Sequence, residues 1–186
     1  MPLKEVFVML ILIVMWGTTM LAQGERLSVN KLKVFLPTAE LETFERGDPA
    51  GSIETDPEIK DCIWTQATVV YNELMEDTAE DSFYRSSKTI FATIADYGAN
   101  TANYFEDISR EYNEKTSSGY SRSVKVSGRF SGRETVTREA GEKSCLLEFV
   151  VANRYKVILE GYNTDDIKLL YQLAGSMNLA KLEKAI

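Results

Sequence analysis

Few side chains in this sequence have the types and spacing that catalysis requires. There is no histidine among the 186 residues, which excludes Ser-His-Asp and Cys-His catalysis, imidazole metal ligands and histidine pH switches. Paired carboxylates could still serve a hydrolase. Such pairs are assembled by the fold, and with 28 acidic residues local spacing does not single one out. We therefore expect a protein that is not an enzyme, with no catalytic residue, no bound metal and no cofactor.

The two cysteines, Cys62 and Cys145, are the other reactive side chains. An even number of cysteines in an exported chain predicts one disulfide between them. The alternative is two buried thiols that pack as small hydrophobic side chains. Without histidine they cannot complete a four-ligand zinc site unless carboxylates join them.

Acidic side chains cluster in the connection between two predicted strands, at Glu73, Glu76, Asp77, Glu80 and Asp81. They lack the alternating ligands and the central glycine of a calcium-binding EF-hand loop, so we interpret them as a solvated connection. Residues 40–81 hold thirteen acidic residues against two basic ones, and residues 110–156 hold ten basic against six acidic. If these segments form separate faces, the acidic face would steer a charged partner. Alternatively, neighbouring strands present complementary charges to each other.

Two glycine-containing segments resemble anion-binding loops only superficially. Residues 47–52 lack the spacing and the lysine of a phosphate-binding loop. Residues 128–133 place two arginines near glycines, and we interpret them as a surface turn between strands. The formal net charge of -7 also argues against non-specific nucleic-acid binding.

The first 24 residues have the pattern of a targeting segment. Lys4 precedes an apolar run at residues 6–16, and small residues at Ala22 and Gly24 suit cleavage of a signal peptide. Residues 6–24 carry no charge, so an uncleaved membrane anchor is the alternative. In either case we expect the folded part to be exported, and to be periplasmic or held at the outer face of the inner membrane.

The elements that must position these side chains follow from periodicity. Residues 25–61 read as a polar lead-in from which Leu32, Val34, Phe35 and Leu36 can pack against a single domain at residues 62–186. Alternating apolar residues and other strand signals predict strands at about 62–72, 120–127, 133–138, 145–151 and 155–159. A run that is apolar on both faces predicts a central strand, covered on both sides, at about 88–97. Helical spacing predicts two main helices, one from a cap at residue 100 or 101 to a break at 117, and one from a cap at Thr164 to Met177. Asn178 is predicted to cap a last short turn.

The resulting order β-β-α-β-β-β-β-α predicts an α+β fold. In it, an antiparallel sheet of about five to six strands packs with two main helices. The segment 147–157, Leu-Glu-Phe-Val-Val-Ala-Asn-Arg-Tyr-Lys-Val, is followed by Glu160-Gly161 and a terminal helix. In this pattern the chain resembles, over residues 62–184, a group of exported bacterial proteins of unassigned function. The resemblance implies a PsbP-like α+β sandwich, a fold of accessory, partner-binding proteins without shared catalytic residues. The acidic stretch before Ser82 has no counterpart in that group.

These observations predict a non-catalytic exported accessory or protein-interaction domain. Its expected partner is a protein, with membrane contact only through an uncleaved N-terminal segment and with no nucleic acid. A binding module for a small apolar ligand or lipid is the first alternative, and a large cavity lined by Phe and Tyr would favour it. A carboxylate-based hydrolase is the second, and carboxylates with shifted pKa values converging in a cleft would favour it.

Overall fold

The computed structural model describes residues 25–56, 62–74, 87–98, 105–139 and 141–185. They form nine strands: β1 (Phe44–Arg46), β2 (Ala50–Thr55), β3 (Ile63–Glu73), β4 (Thr89–Asp96), β5 (Asn113–Thr116), β6 (Gly119–Val126), β7 (Phe130–Glu139), β8 (Glu142–Val151) and β9 (Tyr155–Tyr162). They also form the helices α1 (Val29–Lys33), α2 (Glu106–Ser109), α3 (Ile167–Ser176) and α4 (Leu179–Leu182).

The nine strands form one antiparallel sheet in the order β1-β3-β4-β9-β8-β7-β6-β5. Strands β1 and β2 lie one after the other along the same edge of β3. Strands β5 to β9 form a meander, in which each strand pairs with the next along the chain. Strand β9 then pairs with β4 and so joins the meander to the N-terminal strands. The described strands therefore end at β5 on one side and at β1 and β2 on the other.

The two faces of the sheet differ in how much they are covered. On the covered face, alternate residues such as Val69, Ile94 and Leu147 are fully buried, and α3 packs against β8 and β9. On the opposite face, here called the open face, α2 packs against β7 and β8. Phe91 and Tyr162 form an edge-to-face pair on the open face and remain 37% and 43% exposed. Successive side chains of a strand point to opposite faces of the sheet. The fully buried alternate residues therefore place the main hydrophobic core on the covered face.

Residues 25–56 contribute to the core and are not merely a polar lead-in. Buried apolar side chains from this segment join the main hydrophobic cluster: Leu32, Phe35, Leu36, Leu41 and Phe44. Of the four side chains predicted to pack, Val34 points to solvent and is 65% exposed. The segment was unrecognisable as β structure because β1 and β2 are short strands separated by Gly47, Asp48 and Pro49.

A buried ion pair fixes the start of the described chain. Arg154, in the β8–β9 turn, donates from Nε to Oδ1 of Asp96 at 2.7 Å and from its terminal nitrogen to Oδ2 at 2.8 Å. Asp96 also accepts the N–H of Leu27 at 2.6 Å and the N–H of Gly98 at 2.9 Å. Arg154 completes the set by donating to the carbonyl of Glu25 at 2.8 Å. This arrangement, the N-terminal clamp, holds residues 25–27 where β4 ends and β9 begins.

The predicted fold class is wrong. The structure has a nine-stranded antiparallel sheet with short helices, and not an α+β sandwich of five to six strands with two main helices. The six predicted strands are confirmed as β3, β4, β6, β7, β8 and β9. The errors are the unpredicted strands β1, β2 and β5 and the first predicted helix, of which the described residues retain only the four-residue α2.

The two predictions for the C-terminal caps have different outcomes. The cap predicted at Thr164 is wrong, because Asp166 caps α3 by accepting the N–H of Lys168. The cap predicted at Asn178 is confirmed: its side chain accepts the N–H of Lys181. Helix α3, which lies between these two caps, buries Leu170, Leu173 and Ala174 against the sheet.

Candidate functional site

Strand β5 leaves part of its backbone unpaired at the edge of the sheet. The N–H of Ser123 in β6 donates to the carbonyl of Tyr112 at 2.8 Å. The Tyr112 N–H donates to the Ser123 hydroxyl at 2.7 Å, so the main-chain groups of residues 112 and 123 face each other. In an antiparallel ladder, residues whose main-chain groups face the neighbouring strand recur at every second position. It follows that Glu114 and Thr116 bond to β6, whereas the N–H and C=O groups of Asn113 and Lys115 point away from the sheet. All four residues of β5 are exposed.

Two clefts border this edge. The larger, of about 570 Å³, is lined by Glu111, Tyr112, Asn113, Arg122 and Ser123. The smaller, of about 250 Å³, is lined by residues of β5, β6, β7 and the β5–β6 turn: Glu114, Thr116, Ser118, Gly119, Tyr120, Ser121, Thr135, Val136, Thr137 and Glu139. Most of these side chains are polar or charged, so the clefts do not have the apolar lining that a small apolar ligand requires.

A buried carboxylate supports the larger cleft from below. Glu134 in β7 is only 1% exposed. Its Oε1 accepts from Nε of Arg122 at 2.6 Å, and its Oε2 accepts the hydroxyl of Tyr171 in α3 at 2.6 Å. The hydrogen bond to Glu134 raises the pKa of Arg122. Burial, followed by the bond to Glu134, raises the pKa of Tyr171 well above its ordinary value. The site therefore keeps a charged guanidinium beside the cleft and a protonated phenol beneath it.

On the open face, Arg133 ties the edge to helix α2. Its guanidinium carbon lies 4.9 Å from the centre of the Tyr112 ring, and its terminal nitrogen donates to the carbonyl of Asp107. The Tyr112 hydroxyl donates in turn to Glu114. The Nε of Arg133 is buried and has no hydrogen-bond partner among the described residues. Cation–π stacking and these hydrogen bonds orient Tyr112 at the rim of the larger cleft.

The two sides of the edge carry opposite charges. Glu114 and Glu139 lie on the open face, where Glu139 is directly opposite Glu142 in the β7–β8 pairing. Like charges in that position destabilise a sheet. On the covered face Lys115 and Arg122 occupy neighbouring strands. Within β5 itself, the charged side chain is therefore acidic on the open face and basic on the covered face. At the other end of the edge, Arg133 lies over Tyr112 on the open face and Glu111 shares the larger cleft with Arg122.

The residues predicted to form an acidic steering face are not part of this site. Glu73 lies at the end of β3, where it pairs with Lys88 at 2.6 Å and accepts the Lys88 N–H. It therefore joins the ends of β3 and β4. Glu76, Asp77, Glu80 and Asp81 lie outside the described residues, and the steering role stays a prediction.

Both cysteines are buried free thiols. Cys145 lies in one cross-strand row with Gly161, Ile90 and Tyr71. Cys62 immediately precedes β3 and comes nine residues before Tyr71, which in an extended chain is a distance of roughly 30 Å. A disulfide requires Cα atoms within about 7 Å, so this structure favours the alternative of two separate thiols. Burial raises the pKa of Cys145 to about 12, which keeps it protonated and unreactive near neutrality.

Sequence reasoning missed the β5 edge for an identifiable reason. A strand exposed on both faces has no alternation of apolar and polar residues, so the segment 113–116, Asn-Glu-Lys-Thr, gave no strand signal. The available signal was Ser117-Ser118-Gly119, which forms the β5–β6 turn and which the prediction used as a helix end. Across the described ranges no group of three or more Cys, Asp or Glu side chains is arranged to hold a metal ion.

Comparison with known protein families, curated proteins and solved structures found no match for this chain. Within residues 25–185, where they are described, no helix has the length and apolar character needed to cross a membrane.

Proposed function

We propose that this chain is a non-catalytic exported accessory domain that binds a protein partner, and that an extended segment of the partner adds a strand to β5. The observation that carries this proposal is the outward orientation of the N–H and C=O groups of Asn113 and Lys115. An extended peptide can satisfy such groups by main-chain hydrogen bonds, the binding mode known as β-strand addition.

The clefts beside β5 support this placement. In β-strand addition, main-chain bonds supply affinity and pockets for alternate side chains supply specificity. One cleft contains Asn113 and Arg122 and the other contains Glu114 and Thr116. Side chains from both sides of an added strand would therefore meet shaped surfaces.

The length and charge of β5 fit a selective edge. Short edge strands with charged side chains discourage unselective pairing between chains. Strand β5 has four residues, including Glu114 and Lys115. A partner that tolerates these charges could pair with β5, whereas an apolar strand would be disfavoured.

Export is proposed from the apolar run at residues 6–16, and N-terminal sequencing of the native protein tests it: a mature start at Gln23 or Glu25 is expected.

The edge is tested by replacing Asn113 with a photo-cross-linking amino acid in the native host. A cross-linked adduct of defined mass is expected. Lys115→Pro should abolish the adduct because it removes an outward N–H along with the lysine side chain, and proline is tolerated at an edge whose N–H faces solvent. Lys115→Ala, which keeps that N–H, should leave the adduct intact.

Strand β2 provides the control position. Ile53 lies on the opposite edge of the sheet and is 69% exposed. The same cross-linker at Ile53 should give no adduct that depends on Lys115. An adduct at Ile53 alone, or an adduct at Asn113 that survives Lys115→Pro, would contradict the proposal. A thermal melt of each variant confirms that the domain is folded.

A further inference from the structure

The charge difference across the β5 edge specifies what kind of segment can bind there. Side chains of an added strand alternate between the two faces of the sheet. Those on the open face would lie beside Glu114, and those on the covered face would lie beside Lys115. Opposite charges on neighbouring strands are favourable and like charges directly opposite are not.

On the open face, acidic side chains continue from Glu114 towards the β7–β8 turn, away from Arg133 at the other end of the edge. Glu114 and Glu139 line the same 250 Å³ cleft, and Glu139 lies directly opposite Glu142. Long basic side chains carry their charge at the end of a flexible stem. A lysine or arginine on an added strand could therefore pair with Glu114 at the margin of this cleft.

On the covered face, the charge is reversed. Lys115 is exposed and forms no ion pair with a described residue. The Arg122 side chain remains 57% exposed although it is paired with Glu134. An acidic side chain on the added strand would meet both cations.

We infer that the segment bound at β5 alternates basic and acidic side chains, with the basic ones on the open face beside Glu114 and the acidic ones on the covered face beside Lys115. This inference rests on the proposed function, because it describes the partner of the same edge.

When the pairing is confined to the four residues of β5, a second copy of this chain does not meet the requirement. Two β5 strands can pair antiparallel, with their faces aligned and with outward groups bonded, in two registers that overlap by at least three residues. One register sets Glu114 opposite Glu114 of the other copy, and the other sets Lys115 opposite Lys115. Both place like charges directly opposite each other, which is unfavourable.

The experiment titrates the purified native protein with two capped probe peptides of equal composition. One is Val-Lys-Glu-Lys-Glu-Lys-Glu-Val, and the other is Val-Lys-Lys-Lys-Glu-Glu-Glu-Val. The alternating peptide should bind about threefold to tenfold more tightly, because two or three exposed ion pairs add modest energies. Raising the ionic strength to 1 M should remove most of that difference. The amides of Asn113 and Lys115 should exchange more slowly with solvent when the peptide is bound.

Variants separate this inference from the proposed function. Glu114→Gln should reduce the preference for the alternating peptide, whereas Glu160→Gln in the distant strand β9 should not. If both peptides bind equally and Lys115→Pro abolishes the binding of both, the inferred charge pattern is wrong, but the proposal that β5 binds an extended segment is retained. If Lys115→Pro leaves binding of the alternating peptide unchanged, the proposed function itself is wrong. A dimer that dissociates on Lys115→Pro would assign the edge to a second copy and overturn the inference.

Discussion

Two arginine–carboxylate pairs in this protein have carboxylates that are equally buried but arginines that differ in exposure to solvent. The side chains of Asp96 and Glu134 are 0% and 2% exposed, but their partners Arg154 and Arg122 are 6% and 57% exposed. In the N-terminal clamp, the guanidinium bonds to Asp96 and to a backbone carbonyl. At the β5 edge, the guanidinium bonds to Glu134 and borders a cleft.

The difference separates a structural pair from one that a partner can reach. A charge buried with its hydrogen bonds satisfied fixes the chain around it, and removing one member leaves the other uncompensated. Where one member of a pair is exposed to solvent, water can take its place when that member is removed and can hydrogen-bond to the charge that remains. The same residue types therefore stabilise the fold at one site and present a cation at the other.

The largest expected effect is at the clamp. Arg154→Met should lower the free energy of unfolding by about 3–5 kcal/mol, because it leaves the fully buried Asp96 carboxylate without its cation. Urea unfolding monitored by circular dichroism measures the loss. Arg129→Met is the matched control, since the Arg129–Glu183 pair is half exposed and should contribute no more than about 1 kcal/mol. Equal losses in the two variants would contradict the assignment of the clamp as structural.

An intermediate effect is expected at the edge. Arg122→Met should lower the free energy of unfolding by about 1–2 kcal/mol. Glu134 loses a charged partner but keeps the hydrogen bond from Tyr171, and water can reach it from the solvent-exposed side of residue 122. The comparison with Arg154→Met is made in the same urea titration. A loss as large as that of Arg154→Met would show that Arg122 behaves as a buried charge, and the distinction between the two pairs would fail.

The smallest effect is expected beneath the edge. Tyr171→Phe removes one hydrogen bond to Glu134 and should cost about 1 kcal/mol at neutral pH. The folded state raises the pKa of Tyr171 above its ordinary value of 10.0. The stabilisation by its hydroxyl is therefore complete below about pH 10 and is lost as the pH rises further.

Unfolding measured at pH 7 and pH 11 tests this linkage. The stability difference between the wild type and Tyr171→Phe should shrink at pH 11. A difference that grows or stays constant with pH would contradict the proposed environment of the phenol.

The central strands could be predicted from the sequence because they bury one face. In β8, the alternation of Leu147, Phe149 and Val151 matches side chains that are fully buried. The turn that follows was located by Asn153, whose φ of 48° is a conformation that asparagine tolerates. Burial produces the periodicity, so the core strands were recognisable.

The candidate site could not be predicted because its features arise from pairing between strands. The pairing of Glu134 with Arg122 depends on the β6–β7 register, and the contact with Tyr171 spans 37 positions in the chain. Strand β5 has no apolar face to reveal it. Residues 113–116 were therefore assigned to the end of the first predicted helix by the spacing of the preceding aromatic residues, although pairing with β6 makes them a strand.

The joining of β4 to β9 has a consequence for the order of folding. Hairpins of the β5–β9 meander pair neighbouring segments and can form early, whereas β4 and β9 pair residues as distant as Thr89 and Tyr162, which delays them. Asp96 and Arg154 come together at one end of that pairing, across 58 positions. Residues 25–27 can dock only when both are in place, so the first part of the described chain to be synthesised is among the last to become fixed. The amide of Leu27 should gain its protection late in refolding.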